Sequence, residues 1–200
     1  VLAVAILPML GVGGMQLYRA ETPGPVKDSK LTPRIKETAL ALWSIYLGLT
    51  SICAAAYWVA GMTLFDAICH SFSTVAIGGF STHDASIGYF DSAMIESIAI
   101  FFMALAGINF GLHFFAFKDF SPRVYFRDDE VKFYLAILLV ASNVVIIGLW
   151  YENTYSAGDS IRIGLFHTFS IFTTTGFATD DFANWPGMLP FLVFFGAFTG

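Results

Sequence analysis

The chain has 200 residues, of which 56% are hydrophobic and only 12% charged, with a mean hydropathy of +0.70 and a formal net charge of −5. A soluble domain carries about a quarter charged residues, so this composition excludes a soluble enzyme, a disordered chain and a nucleic-acid-binding protein. Its long uncharged runs predict an integral membrane protein with several helices, because a spanning helix needs roughly 20 apolar residues.

Both ends of the sequence lie within apolar runs. Val1 opens such a run without a basic flank, which is not the pattern of a secretory signal peptide. Residues 191–200 form another apolar run that continues to the last residue. We therefore expect an internal piece of a longer membrane domain. The two cysteines, Cys53 and Cys69, both lie in apolar stretches, so no disulfide framework is expected.

Nine of the ten basic residues fall into two short clusters, which predict the orientation of the chain. Short loops rich in Lys and Arg stay on the cytoplasmic side of a membrane. An even number of spans must then separate the clusters, and spans at 39–60 and 92–117 satisfy this. The first cluster is Arg19, Lys27, Lys30, Arg34 and Lys36, and the second is Lys118, Arg123, Arg127 and Lys132.

The stretch between those two spans, residues 61–91, contains no Lys or Arg and is predicted to lie outside. Its apolar part is too short to cross, so it fits a re-entrant element that enters and leaves the membrane on one face. The same plan recurs after the second cluster, with a span at 132–151, a short helix at 159–172 and the start of a span at 186–200. We therefore predict an all-α membrane fold of repeated units.

An internal sequence repeat coincides with this repeated plan. The segment HSFSTVAIGGFSTHD, residues 70–84, aligns without gaps at an offset of 97 over HTFSIFTTTGFATDD, residues 167–181. Seven of the fifteen pairs are identical, and they include Gly79 with Gly176 and Phe80 with Phe177. Two ordinary outer loops would not be expected to match in this way.

Each copy of the repeat is predicted to be a short helix followed by an irregular exit. Thr63 and Asp66 have the spacing of a capping box, and Asp159 or Ser160 can cap the second helix. A glycine then lets the backbone turn, and irregular backbone at membrane depth is tolerated only inside protein or along a watery path. The peptide carbonyls expected to line that path belong to Ala76, Ile77, Gly78, Gly79, Thr173, Thr174, Thr175 and Gly176.

Carbonyl oxygens aimed at one axis replace the hydration shell of a monovalent cation, and the C-terminal ends of the short helices add a partial negative charge. Acidic residues at the outer mouth, Asp84, Asp180 and Asp181, would concentrate cations there. Because carboxylates are not expected in the path itself, a dehydrated divalent ion is disfavoured. Potassium is the expected ion at the filter residues, and sodium is the second choice.

These residues resemble a known family. The segments TVAIGGFST, residues 74–82, and FTTTGFAT, residues 172–179, are similar to two of the four filter segments of the Trk/Ktr/HKT potassium transporters. The resemblance covers essentially the whole chain and is strongest to the bacterial Trk membrane subunits. It implies four helix–pore loop–helix units around one ion pore with pseudo-fourfold symmetry. The single filter glycine of the family falls on Gly79 and Gly176.

On this scheme residues 1–18 end the last helix of repeat one, and 19–38 form a cytoplasmic loop. Repeat two, 39–117, contains a span at 39–60, a pore helix at 63–75, a filter at 76–80 and a span at 92–117. A cytoplasmic loop follows at 118–131. Repeat three, 132–200, contains a span at 132–151, a pore helix at 159–172, a filter at 173–177 and the start of a span at 186–200.

The resemblance also implies partners and a location. It implies a multi-pass protein of the bacterial cytoplasmic (inner) membrane that works as a homodimer in the lipid bilayer and binds a cytoplasmic nucleotide-binding regulatory subunit. It implies K⁺ as the transported ion, with no cofactor in this chain and no nucleic-acid partner. The gating loop of the family would fall at or beyond Gly200.

Two alternative functions stay open at this point, and an enzyme is not expected. An ion-coupled secondary carrier for a small solute also uses broken helices, although this sequence offers few polar side chains at midplane positions. A sodium-permeable member of the same family would use the same filter. For His70 and His167, packing or hydrogen bonding within the short helices is favoured over a role as ion ligand or proton relay.

Overall fold

The computed structural model describes residues 35–118 and 121–198, which form helices joined by short connections, with no strand among them. The predicted helix end at 1–18 and the basic loop up to residue 34 lie outside the described residues. For the described part of the chain, the all-helical prediction is confirmed.

The helices are numbered here in chain order. They are α1 (Ile35–Val59), α2 (Leu64–Val75), α3 (Ala93–Ala106), α4 (Phe110–Lys118), α5 (Arg123–Arg127), α6 (Asp129–Tyr151), α7 (Ala157–Phe172) and α8 (Leu189–Gly196), with short 3₁₀ helices at Ser86–Phe90 and Phe182–Asn184.

Two helices, α1 and α6, are long and apolar enough to cross a membrane, the first over Leu40–Val59 and the second over its full length. Large apolar side chains on both remain exposed, among them Ile52 and Trp58 on α1 and Val140 on α6. Such side chains suit contact with lipid, because lipid tails do not penalise exposed apolar surface. With 12 and 16 residues, α2 and α7 are shorter than a span.

The structure divides the predicted span at 92–117 into α3 and α4, so this stretch is not one continuous helix. The Asn109 side-chain oxygen accepts a hydrogen bond from the Gly111 N–H at 2.8 Å, so Asn109 begins a new helix instead of continuing α3. Before it, the hydroxyl of Tyr134 donates to the carbonyl oxygen of Ala104 at 3.3 Å. A Cβ atom at Gly107 would lie 2.3 Å from that hydroxyl oxygen, so any larger residue there must displace the Tyr134 side chain.

The described residues form two compact units. One combines 35–49 with 108–118 and 121–133, and in it Nδ1 of His113 on α4 lies 2.7 Å from the hydroxyl of Tyr125 on α5. The other combines 50–107 with 134–198. In this second unit α3 packs against both α2 and α7, and its core includes the buried Phe102 and Phe166. Both repeat segments lie in the second unit.

Candidate functional site

Matching side-chain caps begin the two short helices. Thr63 caps α2, where its hydroxyl oxygen accepts from the Asp66 N–H at 3.1 Å and donates to the Asp66 carboxylate at 2.6 Å. Ser156 caps α7 in the same way, accepting from the Asp159 N–H at 3.3 Å. The predicted cap at Asp159 or Ser160 is therefore wrong, because Ser156 supplies the capping hydroxyl and Asp159 is its partner in the first turn.

The C-terminal ends of α2 and α7 close with bonds that tie the next residues back to the helix. After α2, the Ile77 N–H donates to the Thr74 oxygen at 3.2 Å and the Gly78 N–H to the Ser73 oxygen at 2.8 Å, which is a Schellman motif. After α7, the Thr174 N–H donates to the Ile171 oxygen at 2.9 Å, and the Gly176 N–H donates to the Ser170 oxygen at 3.1 Å.

The backbone of both exits follows one conformational pattern. The sign of φ alternates over Ala76, Ile77, Gly78 and Gly79, with positive values of 54° at Ile77 and 66° at Gly79. The run from Thr173 to Gly176 repeats the alternation, with 61° at Thr174 and 86° at Gly176. The two exits therefore share backbone geometry as well as sequence, although Gly78 and Ala76 align with threonines.

Ile77 and Thr174 are strained residues that the sequence did not reveal. A β-branched side chain at positive φ is a true outlier, and it costs about 1–3 kcal/mol per residue. Such strain persists only where the surrounding structure imposes it, and it is concentrated at ligand sites and switches. The residue types of Ile77 and Thr174 do not signal this conformation. Their equivalent positions in the repeat are the one sequence feature that links them.

The carbonyl oxygens of the two exits are left without hydrogen bonds. Among the described residues, none of the oxygens of 76–79 or 173–176 accepts a bond, although six N–H groups of these runs donate back to α2 or α7. Donors turned toward the helix end leave the acceptors free for another partner. All eight predicted site residues thus lie in two short runs of main chain with free oxygens.

The two exits approach each other closely at their glycines. A Cβ atom at Gly79 would lie 2.0 Å from the Thr175 carbonyl oxygen and 3.1 Å from the carbonyl carbon of Gly176. Gly79 therefore needs to be glycine for its φ and for this contact. A Cβ at Gly176 would meet no atom of the described residues within 4 Å, so among them only its φ requires glycine. On the Thr175 side, the buried hydroxyls of Thr173 and Thr175 are 2.8 Å apart.

Side chains in the middle of α2 and α7 hold the chain beyond each exit. Nδ1 of His70 lies 2.8 Å from the Asp66 carbonyl oxygen, and its Nε2 lies 2.9 Å from the Ser81 hydroxyl. His167 is placed alike, with Nδ1 3.0 Å from the Ile163 oxygen and Nε2 2.9 Å from the Asp180 oxygen. The favoured packing role of both histidines agrees with these contacts, since each ring is fully buried.

The two copies differ at their phenylalanines. Phe177 is 1% exposed and packs 6.0 Å from the His70 ring, and its carbonyl oxygen accepts from the Ser170 hydroxyl at 2.6 Å. Phe80 is 82% exposed, and the buried hydroxyl of Ser73, which corresponds to Ser170, has no partner among the described residues.

Further contacts hold the chain beyond the first exit to the N-terminal end of α2. The Thr82 hydroxyl donates to the Asp66 carboxylate at 2.6 Å, and Nε2 of His83 lies 3.3 Å from the same oxygen. The hydrogen bonds from Thr63 and Thr82 lower the pKa of the Asp66 carboxyl from its ordinary value of 3.8, because they stabilise the charged form.

The three predicted mouth residues, Asp84, Asp180 and Asp181, are all exposed. Asp180 accepts a hydrogen bond from the Tyr155 hydroxyl. Burial, together with this bond, raises the pKa of Tyr155. Asp181 caps the 3₁₀ helix Phe182–Asn184 through the Ala183 N–H. Among the described residues, no group of three or more His, Cys, Asp or Glu side chains is placed to hold a metal ion.

Arg162, the basic residue outside the two clusters, is engaged in ion pairs. Its guanidinium binds both oxygens of Glu96 at 2.7 and 2.8 Å and one oxygen of Asp91 at 3.1 Å. Sequence reasoning missed Glu96, whose single signal was a lone carboxylate within an apolar span.

The sequence matches the family model described as "TrkH: Cation transport protein" over residues 1–200. The chain belongs to the TrkH family. It is 56% identical over its whole length to a Trk system potassium uptake protein TrkH of Halomonas elongata, and it spans 42% of the length of that relative. To the Trk system potassium uptake protein TrkG of Escherichia coli K12 it is 45% identical over 93% of this chain and 38% of that one.

A solved structure is similar to this TrkH-family chain as well. The crystal structure of the potassium transporter TrkH from Vibrio parahaemolyticus superimposes with a TM-score of 0.81 at 50% sequence identity, covering 98% of this chain and 39% of that one. The family resemblance stated from the two filter-like segments is therefore confirmed.

Proposed function

We propose that this TrkH-family chain belongs to a membrane protein that takes up potassium through a channel-like path lined by main-chain carbonyl oxygens. The observation that carries the proposal is the pair of facing exits, 76–79 and 173–176, with the same alternation of φ sign and with unbonded oxygens. The names of the relatives, Trk system potassium uptake proteins, agree with potassium as the ion.

The chemistry of the two exits suits a monovalent cation. Free carbonyl oxygens replace the water of such an ion, and the C-terminal ends of α2 and α7 add partial negative charge near them. The exposed carboxylates of Asp84, Asp180 and Asp181 raise the local concentration of cations. The site offers carbonyls and hydroxyls but no carboxylate ligand, which favours a monovalent ion over calcium or magnesium.

The proposal includes the arrangement predicted from the resemblance. Residues 39–117 and 132–200 are two of four units around a pseudo-fourfold pore, and the remaining walls come from outside these 200 residues. The whole protein is a homodimer that crosses the bacterial inner membrane several times and binds a nucleotide-binding regulatory subunit. It transports K⁺ without a cofactor in this chain and is not an enzyme.

The test compares three glycines with positive φ in the complete transporter polypeptide. Gly79→Ala adds strain and a collision with Thr175, Gly176→Ala adds strain alone, and Gly187→Ala adds the same strain at an exposed outer position with open space around it. Uptake of radioactive rubidium into proteoliposomes, with sodium as competitor, measures flux and selectivity.

We expect Gly79→Ala to abolish rubidium uptake, Gly176→Ala to lower the preference for K⁺ over Na⁺, and Gly187→Ala to behave as the wild type. If both filter variants fold and keep wild-type flux and preference, the filter assignment fails. A wild-type protein that prefers Na⁺ would support the sodium-permeable alternative, and uptake of an organic solute driven by an ion gradient would support the carrier.

A further inference from the structure

An ion-paired cluster lies away from the filter. Arg162, in the second turn of α7, makes a two-pronged contact with Glu96 in the first turn of α3, and it reaches Asp91 just before that helix. The Glu96 side chain is 4% exposed, that of Arg162 is 32% exposed, and that of Asp91 is 89% exposed. The pair therefore joins the buried start of repeat two's second span to the pore helix of repeat three.

The ion pair between Glu96 and Arg162 requires a specific geometry because Glu96 is buried. A carboxylate that is almost fully buried is strongly disfavoured unless an opposite charge and hydrogen bonds satisfy both of its oxygens. The planar guanidinium of Arg162 supplies two parallel donors in a fixed geometry, which the single ammonium group of a lysine does not reproduce. The contact consequently fixes both the distance and the orientation between α3 and α7.

Residues 86–88 of repeat two contact repeat three at a second point. The Gly88 N–H donates to the Ala178 carbonyl oxygen at 3.1 Å, and the Ala178 N–H donates to the Ser86 hydroxyl at 3.2 Å. A Cβ at Gly88 would lie 2.8 Å from the oxygen of Thr179, so the two segments are in close contact. Ala178 follows the filter glycine Gly176 by two residues.

Residues 86–96 thus contact the re-entrant element of repeat three on both sides of residues 173–176. One contact is with the pore helix that precedes these residues, and the other is with the chain that follows them. An α-helix transmits displacement along its axis because its backbone hydrogen bonds are continuous. About 11 residues separate Arg162 from Thr173, which corresponds to roughly 16 Å along the helix. A shift of α7 at Arg162 would therefore move the oxygens of 173–176 against their contact with Gly79.

We propose that residues 86–96 form a brace, and that Glu96 and Arg162 are positioning residues that set ion selectivity by fixing the filter segment of repeat three. This inference rests on the proposed function, because it assumes that the oxygens of 173–176 contact the ion. Neither side chain touches the ion. Both act through the placement of α7.

The test measures rubidium and sodium uptake by the complete transporter polypeptide in proteoliposomes, with variants Glu96→Gln, Arg162→Gln, the double variant and Arg162→Lys. Asp129→Asn is the matched control, because Asp129 forms an exposed pair with Lys132 at 2.8 Å. Asp91→Asn tests the exposed partner of the cluster. Melting temperature and yield are measured alongside, so that loss of folding is separated from loss of selectivity.

We expect Glu96→Gln and Arg162→Gln to lower the K⁺ over Na⁺ preference at least about fivefold, because a site loosened by a fraction of an ångström loses discrimination. Arg162→Lys should fall between these variants and the wild type. The double variant should lose less than the sum of the singles, since it leaves no buried charge alone. Asp91→Asn and Asp129→Asn should stay within about twofold of the wild type.

Wild-type selectivity in folded Glu96→Gln and Arg162→Gln, with any change confined to melting temperature or yield, would overturn the brace and leave the filter proposal standing. If those two variants do not accumulate, Arg162→Lys decides, because it keeps the charge opposite Glu96, and wild-type selectivity there would overturn the brace. A wild-type protein without K⁺ preference would instead overturn the proposed function, and the brace with it.

Discussion

At the scale of single residues, the repeat offers pairs of positions that have the same identity but different contacts. Ser170 donates to the carbonyl oxygen of Phe177, whereas the corresponding Ser73 has no partner among the described residues. The sequence shows these two serines as equivalent, and only the structure separates them. Each therefore serves as the control for the other.

We expect Ser170→Ala to lower the free energy of unfolding by about 1–3 kcal/mol, because it leaves the carbonyl oxygen of buried Phe177 without a donor. Ser73→Ala should not lower it, since the variant removes a buried hydroxyl that has no partner among the described residues. Thermal unfolding of the purified protein measures both. Equal losses in the two variants would show that the bond to Phe177 contributes nothing.

The Asp66 carboxylate gives a prediction about pH. Hydrogen bonds from Thr63 and Thr82 hold its pKa below the ordinary value of 3.8, and the rings of His83 and His70 face it as well. Its contribution to stability is therefore fully present above the pKa of the unfolded chain and is lost as the pH falls through the lower pKa of the folded state.

We expect the melting temperature of Asp66→Asn to lie below that of the wild type at about pH 5, where the wild-type carboxyl is ionised. The difference should shrink as the pH falls below 3.8, where the wild-type carboxyl also takes up a proton. Asp84→Asn, at an exposed carboxylate, is the control and should show no difference. A difference that grows on acidification would contradict the assignment.

At the scale of helices, the break between α3 and α4 depends on one tight contact. Gly107 has φ −73° and ψ −13°, which any residue adopts, so the backbone itself does not demand glycine. The preference for glycine at position 107 comes from the Tyr134 hydroxyl, which lies 2.3 Å from the position that a Cβ atom would take. Gly48 in α1 has helical neighbours and nothing within 4 Å of such an atom.

We expect Gly107→Ala to destabilise the protein by about 1–3 kcal/mol, because Tyr134 must move away from Ala104. Gly48→Ala should stabilise it by about 0.5–1 kcal/mol through helix propensity alone. Chemical or thermal unfolding of both variants measures the contrast. Stabilisation by Gly107→Ala would show that Tyr134 does not occupy this space.

At the scale of the molecule, the sequence predicted the helical class and both short helices, because charge placement and an internal repeat are properties of the chain order. The family came from the resemblance of residues 74–82 and 172–179 to known filter segments. The sequence did not predict that Asn109 begins a new helix, that Ile77 and Thr174 adopt positive φ, or that Glu96 and Arg162 pair across 66 positions. Each of these depends on tertiary neighbours, which composition and spacing do not encode.

The contact of Gly79 with Thr175 and Gly176 has a consequence for how the two exits respond to change. Because the two runs touch through main-chain atoms, neither moves toward the other without displacing it. A methyl group added at Gly79 pushes them apart directly, whereas a change farther away acts by displacing a whole run. In the proposed transporter, the width of the ion path therefore depends on peptide geometry and on the single hydrogen atom that Gly79 has in place of a side chain.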